Sequence, residues 1–271
     1  MRRVNPLNDL AFKKVMGEQG SEFQLKAFLE AVLNKELKSV EIKGSMELTP
    51  DIIGNKLSRL DVFAIADDNT GIDIEIQLND YKNMSKRTIF YWSRLFGNAL
   101  RSGRDINYRD IANMVTINLL GFNYIQGEPE EEFHNIYHIS NDRSGKILDG
   151  CLEIHFIEMP KFLLFNNKNL ADNKIHRWLA FFDNNISETT LKELRSMDPA
   201  IDRAQKKIEY ISYNEDDYRA IISREMEILD YNSAIFEYKR EERQKMVEAM
   251  KTMGLSDIDI EKILAVREKS E

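Results

Sequence analysis

Leu57-Ser58-Arg59-Leu60-Asp61-Val62-Phe63-Ala64-Ile65-Ala66 is followed, across Asp67-Asp68-Asn69-Thr70, by Gly71-Ile72-Asp73-Ile74-Glu75-Ile76-Gln77-Leu78. Both apolar runs read as β-strands joined by a turn rich in Asp, Asn and Gly. In the second run Ile72, Ile74, Ile76 and Leu78 share one face, and Asp73, Glu75 and Gln77 share the other. Asp73 reads as a solvated acid. Asp61 does not, because Leu60, Val62, Phe63, Ala64 and Ile65 surround it. An unpaired carboxylate in such a strand is costly and calls for a cation or a donor. Two acids on neighbouring strands can converge on one divalent ion, which removes that cost and creates a catalytic centre.

Working outward, a helix is expected over 8–17, to which Leu10, Val15 and Met16 belong, and a second over 21–35, where Leu25, Phe28, Leu29, Val32 and Leu33 recur at helical spacing. Ser21 followed by Gln24 resembles a capping box. Ser39 to Leu48 alternates as a strand. Residues 82–104 form the clearest helix, with Lys82, Lys86, Arg87, Arg94, Arg101 and Arg104 and no acid. Arg87, Tyr91, Arg94, Asn98 and Arg101 fall on one stripe, and Trp92, Leu95, Phe96 and Ala99 on the face that packs. A one-signed stripe directly after a carboxylate strand suits phosphate contacts, or else pairing with the acidic half of the chain. Three further strands are expected at 111–120, 133–139 and 151–159, giving the order α-α-β-β-β-α-β-β-β of a mixed sheet flanked by helices.

Pro160 marks a change of character. From Asn166 onward the chain is charged and helical, with helices opening at Asp198-Pro199 and at Asn214, a long one over Asn232–Met253 and a last one over Ser256–Lys269. The mixed-charge stretch Glu237–Lys245 reads as a solvated helix face. The expected division is therefore 1–165, a sheet-bearing core, and 166–271, an acidic helical region.

The 271 residues carry a net charge of −8, yet residues 1–104 hold 16 Lys/Arg against 14 Asp/Glu. Nucleic-acid contact therefore belongs to the first part of the chain. One cysteine, Cys151, excludes an internal disulfide and a cysteine-rich zinc site, and it is expected to be a small buried residue. No run reaches a membrane span and no apolar stretch follows Met1-Arg2-Arg3, so a cytoplasmic protein is expected. His134 and His138 would form an i, i+4 metal pair on a helix, but their neighbours favour a strand, where they lie roughly 13 Å apart. Gly-rich phosphate loops and other small-molecule cofactor motifs are absent.

Asn8-Asp9-Leu10-Ala11-Phe12-Lys13-Lys14-Val15, Arg59-Leu60-Asp61-Val62, Ile74-Glu75-Ile76-Gln77 and Lys86-Arg87-Thr88-Ile89-Phe90-Tyr91-Trp92 together resemble the PD-(D/E)XK nuclease family transposases, also called recombination-promoting nucleases. The resemblance runs in consistent order over residues 5–160. It implies a restriction-endonuclease-like α/β core and metal-dependent DNA cleavage. Asp61 and Glu75 match the acidic pair. Gln77 matches the position where the wider superfamily carries Lys, and the closer family also shows Gln there. Asp9 and Lys13 match the N-terminal helix motif, and Arg87 and Tyr91 the helix after the strands. The chain lacks a Pro before Asp61.

These residues give two expectations. In the first, the chain is a DNA endonuclease using Mg²⁺, or Mn²⁺ or Ca²⁺, with Asp61, Glu75 and the Ile76 carbonyl as ligands. Asp9 adds a carboxylate, Gln77 positions water, and Lys13 and Arg87 stabilise phosphate charge. Tyr91, Arg94 and Arg101 complete the DNA contact with Arg87, and the acidic helices serve a homodimer. In the second, the nuclease fold is inactive and binds nucleic acid or a protein partner.

Overall fold

The computed structural model describes residues 3–44, 61–80, 82–99, 107–127, 129 and 131–268. Asn8 opens the first helix, α1 (Asp9–Met16), by accepting from the backbone N–H groups of Leu10 and Ala11. The second, α2 (Glu22–Leu33), ends on Asn34 in the left-handed region at φ 47°. Its expected capping box does not form. Gln24 instead donates to the Val15 carbonyl at 3.0 Å, and the Ser21 hydroxyl meets Lys207. Both polar groups join helices to one another, which competes with closing the helix end.

Three strands follow: β1 (Val40–Gly44), β2 (Val62–Ala66) and β3 (Gly71–Gln77). Next come α3 (Met84–Ala99), a single 3₁₀ turn over Tyr108–Asp110, β4 (Met114–Leu120), β5 (His134–His138) and β6 (Leu152–Glu158). The element order is the one expected. Lys82 has φ 57° and lies in the bend before α3 rather than inside the helix.

The six strands form one mixed sheet in the order β1-β2-β3-β4-β6-β5. β1, β2 and β3 are antiparallel neighbours, β3, β4 and β6 run parallel, and β5 returns antiparallel to β6. This is the restriction-endonuclease-like α/β arrangement. The central parallel strands are buried along their full length, which explains their near-continuous apolar sequence.

Beyond the sheet lie α4 (Met159–Leu164), α5 (Lys174–Phe182), α6 (Glu188–Met197), α7 (Pro199–Tyr213), α8 (Glu215–Thr252) and α9 (Asp257–Glu268). α8 is continuous through Asn232, so the helix expected from that residue begins seventeen positions earlier, where Asn214 accepts from the N–H groups of Asp216 and Asp217. The chain divides into two compact units, Met1–Tyr218 and Arg219–Glu271. In the second, a turn at Gly254 (φ 83°) joins the end of α8 to α9. Glu237–Lys245 is exposed there as expected, with Glu237–Arg240 and Glu242–Lys245 ion pairs.

Within the first unit, α5 and α7 pack against α1 and α2. Their centre is aromatic: Phe28 meets Trp178 at 5.7 Å and Phe182 at 5.4 Å between ring centroids. Phe12 and Phe181 extend the cluster. Arg3 seals it by donating to the carbonyls of Phe181 at 2.6 Å and Asp183 at 2.8 Å. Trp178 is fully buried. Trp178→Ala is expected to destabilise the first unit by about 3–5 kcal/mol, measured by chemical denaturation. A loss below about 1 kcal/mol would mean that these helices are not part of one core with α1 and α2.

Candidate active site

The register of β2 on β3 brings the acids together. Val62 pairs with Ile74 and Phe63 with Asp73, so Asp61, one residue before β2, comes beside Glu75. The Asp61 Oδ2 accepts from the Ile76 backbone N–H at 2.8 Å, and the Asp61 N–H reaches Glu75 Oε1 at 3.4 Å. Each acid is thus tied to the other's strand, which holds the two carboxylates at one point of the sheet.

The sheet face carrying Asp73, Glu75 and Gln77 is covered by α3. Leu95 packs there with Phe63 and Met114, joined by Trp92 and Phe96, which stack at 4.9 Å. Trp92 Nε1 donates to the Met114 carbonyl at 3.1 Å. Thr88 donates to Asn118 Oδ1 at 3.0 Å, and Asn118 Nδ2 donates to the His155 carbonyl at 3.0 Å. These bonds set the rotation of α3, and Arg87 therefore points at the acids. Its Nη1 donates to Gln77 Oε1 at 3.0 Å, its Nη2 lies 3.5 Å from Glu75 Oε2, and its guanidinium carbon sits 5.2 Å from the Tyr91 ring centre.

Charge is in short supply here. Burial, aided by repulsion from Asp9, pushes the Asp61 carboxyl up to about 6, against the Ile76 N–H, Arg87 and Lys13, which favour its charged form. Glu75 is raised well above the usual carboxylate range by burial and by Asp73 and Asp61. Asp73 is raised as well, by burial first and Asp61 second. The expectation of a solvated Asp73 is overturned: it is fully buried, and neither of its oxygens has a hydrogen-bond partner. Its register neighbour on β4, Thr116, is equally buried with an unpartnered hydroxyl. The polar stripe on β3 faces the packed α3 side rather than water, which alternation alone does not reveal.

Asp61, Glu75, Gln77 and Arg87 meet directly, and Asp9 and Lys13 act on Asp61 through space. Tyr91 lies under Arg87 rather than beside the acids. Arg94 is half-buried on α3, and Arg101 lies outside the described residues, as do 57–60 ahead of Asp61. The Gln77 amide is occupied at both ends, since its Nε2 donates to the Asn79 carbonyl at 3.0 Å. Asn118 and Thr88 escaped sequence reading; their signal was a polar residue in the middle of each apolar stripe. His134 and His138 lie on a strand as expected, and His134 Nε2 lies 2.8 Å from His155 Nδ1. Cys151 is partly exposed rather than buried, because it precedes β6 in a turn.

Among the described residues no group of three or more His, Cys, Asp or Glu side chains is placed to hold a metal. The oxygen donors that the structure does bring together are the carboxylates of Asp61 and Glu75, each tied to the other's strand. Hard oxygen donors of this kind fit a cation that keeps several of its waters. The raised carboxyls also fit one, since buried acids with a single guanidinium among them lack positive charge.

A family model described as PD-(D/E)XK nuclease family transposase matches residues 6–238. No curated protein and no solved structure matches the chain.

The raised carboxyls make stability depend on pH. Asp61 binds its proton more tightly folded than unfolded, so its contribution is fully present below about pH 4 and is lost as pH rises through about 6. In metal-free buffer the protein is expected to lose about 2–3 kcal/mol from this group across that window. Asp61→Asn should flatten that segment of the profile. Denaturation curves of parent and variant from pH 4 to 8 check it, and parallel profiles would assign the slope elsewhere.

Proposed function

Because the chain belongs to the PD-(D/E)XK nuclease family transposases, a family whose function is of the nuclease type, we propose that it hydrolyses phosphodiester bonds of DNA with a divalent cation. The observation that carries this reading is the meeting of Asp61, Glu75, Gln77 and Arg87 at one point of the sheet. PD-(D/E)XK nucleases generally use divalent metals. Asp61 and Glu75, with the Ile76 carbonyl, would hold Mg²⁺, Mn²⁺ or Ca²⁺. The ion, when bound, supplies Lewis-acid charge to the scissile phosphate.

The chain's own residues do the rest. Arg87, braced on Tyr91, presents a fixed guanidinium that complements negative charge developing on the phosphate. Gln77 holds that guanidinium in place, and its amide is the group that would position a water. Asp9 and Lys13, from α1, tune the charge on Asp61. Arg94 and Arg101 extend the DNA contact along the backbone. In this reading residues 1–165 form the nuclease-like core and 166–271 the acidic helical region, the protein acts in the cytoplasm, and a homodimer supplies one site for each strand. Among the described residues no helix is long and apolar enough to cross a membrane.

One observation favours a second reading. Gln77 is bonded at both ends and cannot act as an acid or carry charge. A site closed in this way also suits an inactive nuclease fold that binds nucleic acid or protein.

A plasmid-nicking assay across divalent metals separates the two, with Glu75→Ala as control. Cleavage is expected with Mg²⁺ or Mn²⁺ and is expected to fall at least about 100-fold in Asp61→Asn and Glu75→Gln. Both variants should fold with unchanged or raised metal-free stability, because each removes a repelling charge. No cleavage by the parent with any metal, together with retained DNA binding, favours the inactive fold.

Gln77→Lys is expected to retain or increase cleavage, since it returns a charge to the strand beside Glu75. Loss of activity in the folded variant would show a specific need for the amide. Replacing Arg94 and Arg101 with Gln should weaken DNA binding for all sequences alike and lower the salt slope by about one unit per lost contact. An unchanged slope would remove this helix from the DNA surface.

A further inference from the structure

The two edges of the sheet are built differently. β1 carries Glu41 and Lys43 as an ion pair and has an irregular register between Ile42 and Gly44. Charges and bulges of this kind discourage further strand pairing. β5, at the other edge, reads His134-Asn135-Ile136-Tyr137-His138, without Lys, Arg, Asp, Glu or Pro and with unbroken register on β6. Among the described residues no strand lies on its outer side. Ile136 is 50% exposed and Ile139, just beyond the strand, 42%. Among the described residues β5 carries neither a charge nor a break in register that would guard this edge.

The residues flanking β5 identify what fits. Before it stand Glu131 and Glu132; after it, Arg143 and Lys146 outnumber Asp142. All are exposed, and among the described residues none of these side chains is in an ion pair. The segment is therefore acidic at one end and basic at the other, which makes it complementary to itself when reversed.

We propose that the outer edge of β5 pairs antiparallel with the β5 edge of a second copy of this chain. With the two-fold axis at Ile136, that residue faces its own copy, His134 faces His138, and Ile139 faces Phe133. Glu131 and Glu132 of each protomer then come beside the Asn141–Lys146 segment of the other. Backbone hydrogen bonds supply affinity and the charge ends set the direction. The axis stands perpendicular to the sheet, so the α3-covered faces of both copies lie on the same side. Seven strand spacings separate one β3 from the other, about 34 Å, close to one turn of duplex DNA. Only this last consequence rests on the nuclease reading; the pairing itself does not.

Sedimentation of the full-length protein over a range of concentrations tests it. A reversible dimer is expected. Ile136→Lys should make it monomeric while leaving the circular dichroism spectrum and unfolding midpoint unchanged. The Glu131→Lys/Glu132→Lys pair alone should weaken association about tenfold or more, as should Arg143→Glu/Lys146→Glu alone. Combining the two pairs should restore it, because the ends are then complementary in the opposite sense. A protein that stays monomeric at every concentration overturns the proposal, whether β5 is idle or takes a strand from another protein. So does a dimer that tolerates Ile136→Lys and shows no rescue, since its contact then lies on another surface.

Discussion

Carboxyl groups held side by side under a helix are the constraint on which this structure depends. Asp61, just before β2, shares one face of the sheet with Asp73 and Glu75 on β3, and the Arg87 guanidinium reaches Glu75 on that face. Burial, with repulsion from neighbouring carboxylates, drives all three toward the neutral form. A fold organised only for stability would place apolar groups there, as it does on the opposite face with Ile72, Ile74 and Ile76. The cost is concentrated at one point of the sheet, where buried titratable groups meet.

Holding the cover in place takes a second set of polar groups, remote from the acids. Thr88 and Asn118 carry hydrogen bonds from α3 through β4 to β6. At the start of α3 the Ser85 N–H donates to the Tyr124 hydroxyl at 2.9 Å. Tyr124 belongs to the loop after β4, which Glu158 grips by accepting from the Tyr124 and Ile125 N–H groups. Glu158 is fully buried and pairs with Lys161 at 2.9 Å, and Lys161 also donates to the Ile125 carbonyl. A buried pair of this kind gains little stability over apolar packing, but it has strict geometry. Here that geometry runs from the end of β6 to the first turn of α3, two residues before Arg87.

Much of this was readable from the chain. The alternation in Gly71–Gln77 and the apolar run in Val62–Ala66 are local patterns, and strands formed where they indicated. The order of elements followed, and with it the meeting of Asp61 and Glu75, because a tight turn leaves an antiparallel pair little choice of register. What the pattern could not convey was which face would be covered. Asp73 looked solvated because its neighbours alternate, yet α3 closes over that face using Leu95 and Trp92 from twenty residues away. Ser21 and Gln24 looked like a local cap and serve long-range contacts to Val15 and Lys207 instead. The misreadings share a cause: a polar side chain's partner is decided by packing between elements, and sequence spacing reports only contacts within one.

Position 77 is neutral, and its bond to Arg87 shows where the charge beside Glu75 originates. A lysine on β3 would carry its charge on the same strand as Glu75, fixed by the sheet. Here the charge comes from Arg87 on α3, and Gln77 acts as the neutral bracket that receives it. Charge and carboxylate are then joined only when the helix is seated. Tyr91 beneath the guanidinium, Trp92 against the Met114 carbonyl and Leu95 in the core are thereby all part of setting the electrostatics of the acids, although none of them touches the Asp61 carboxylate. A helix whose docking supplies the cation couples the packing of the first unit to the state of its acids. The same docking that buries Asp73 without a partner brings the Arg87 guanidinium to Glu75 and Gln77.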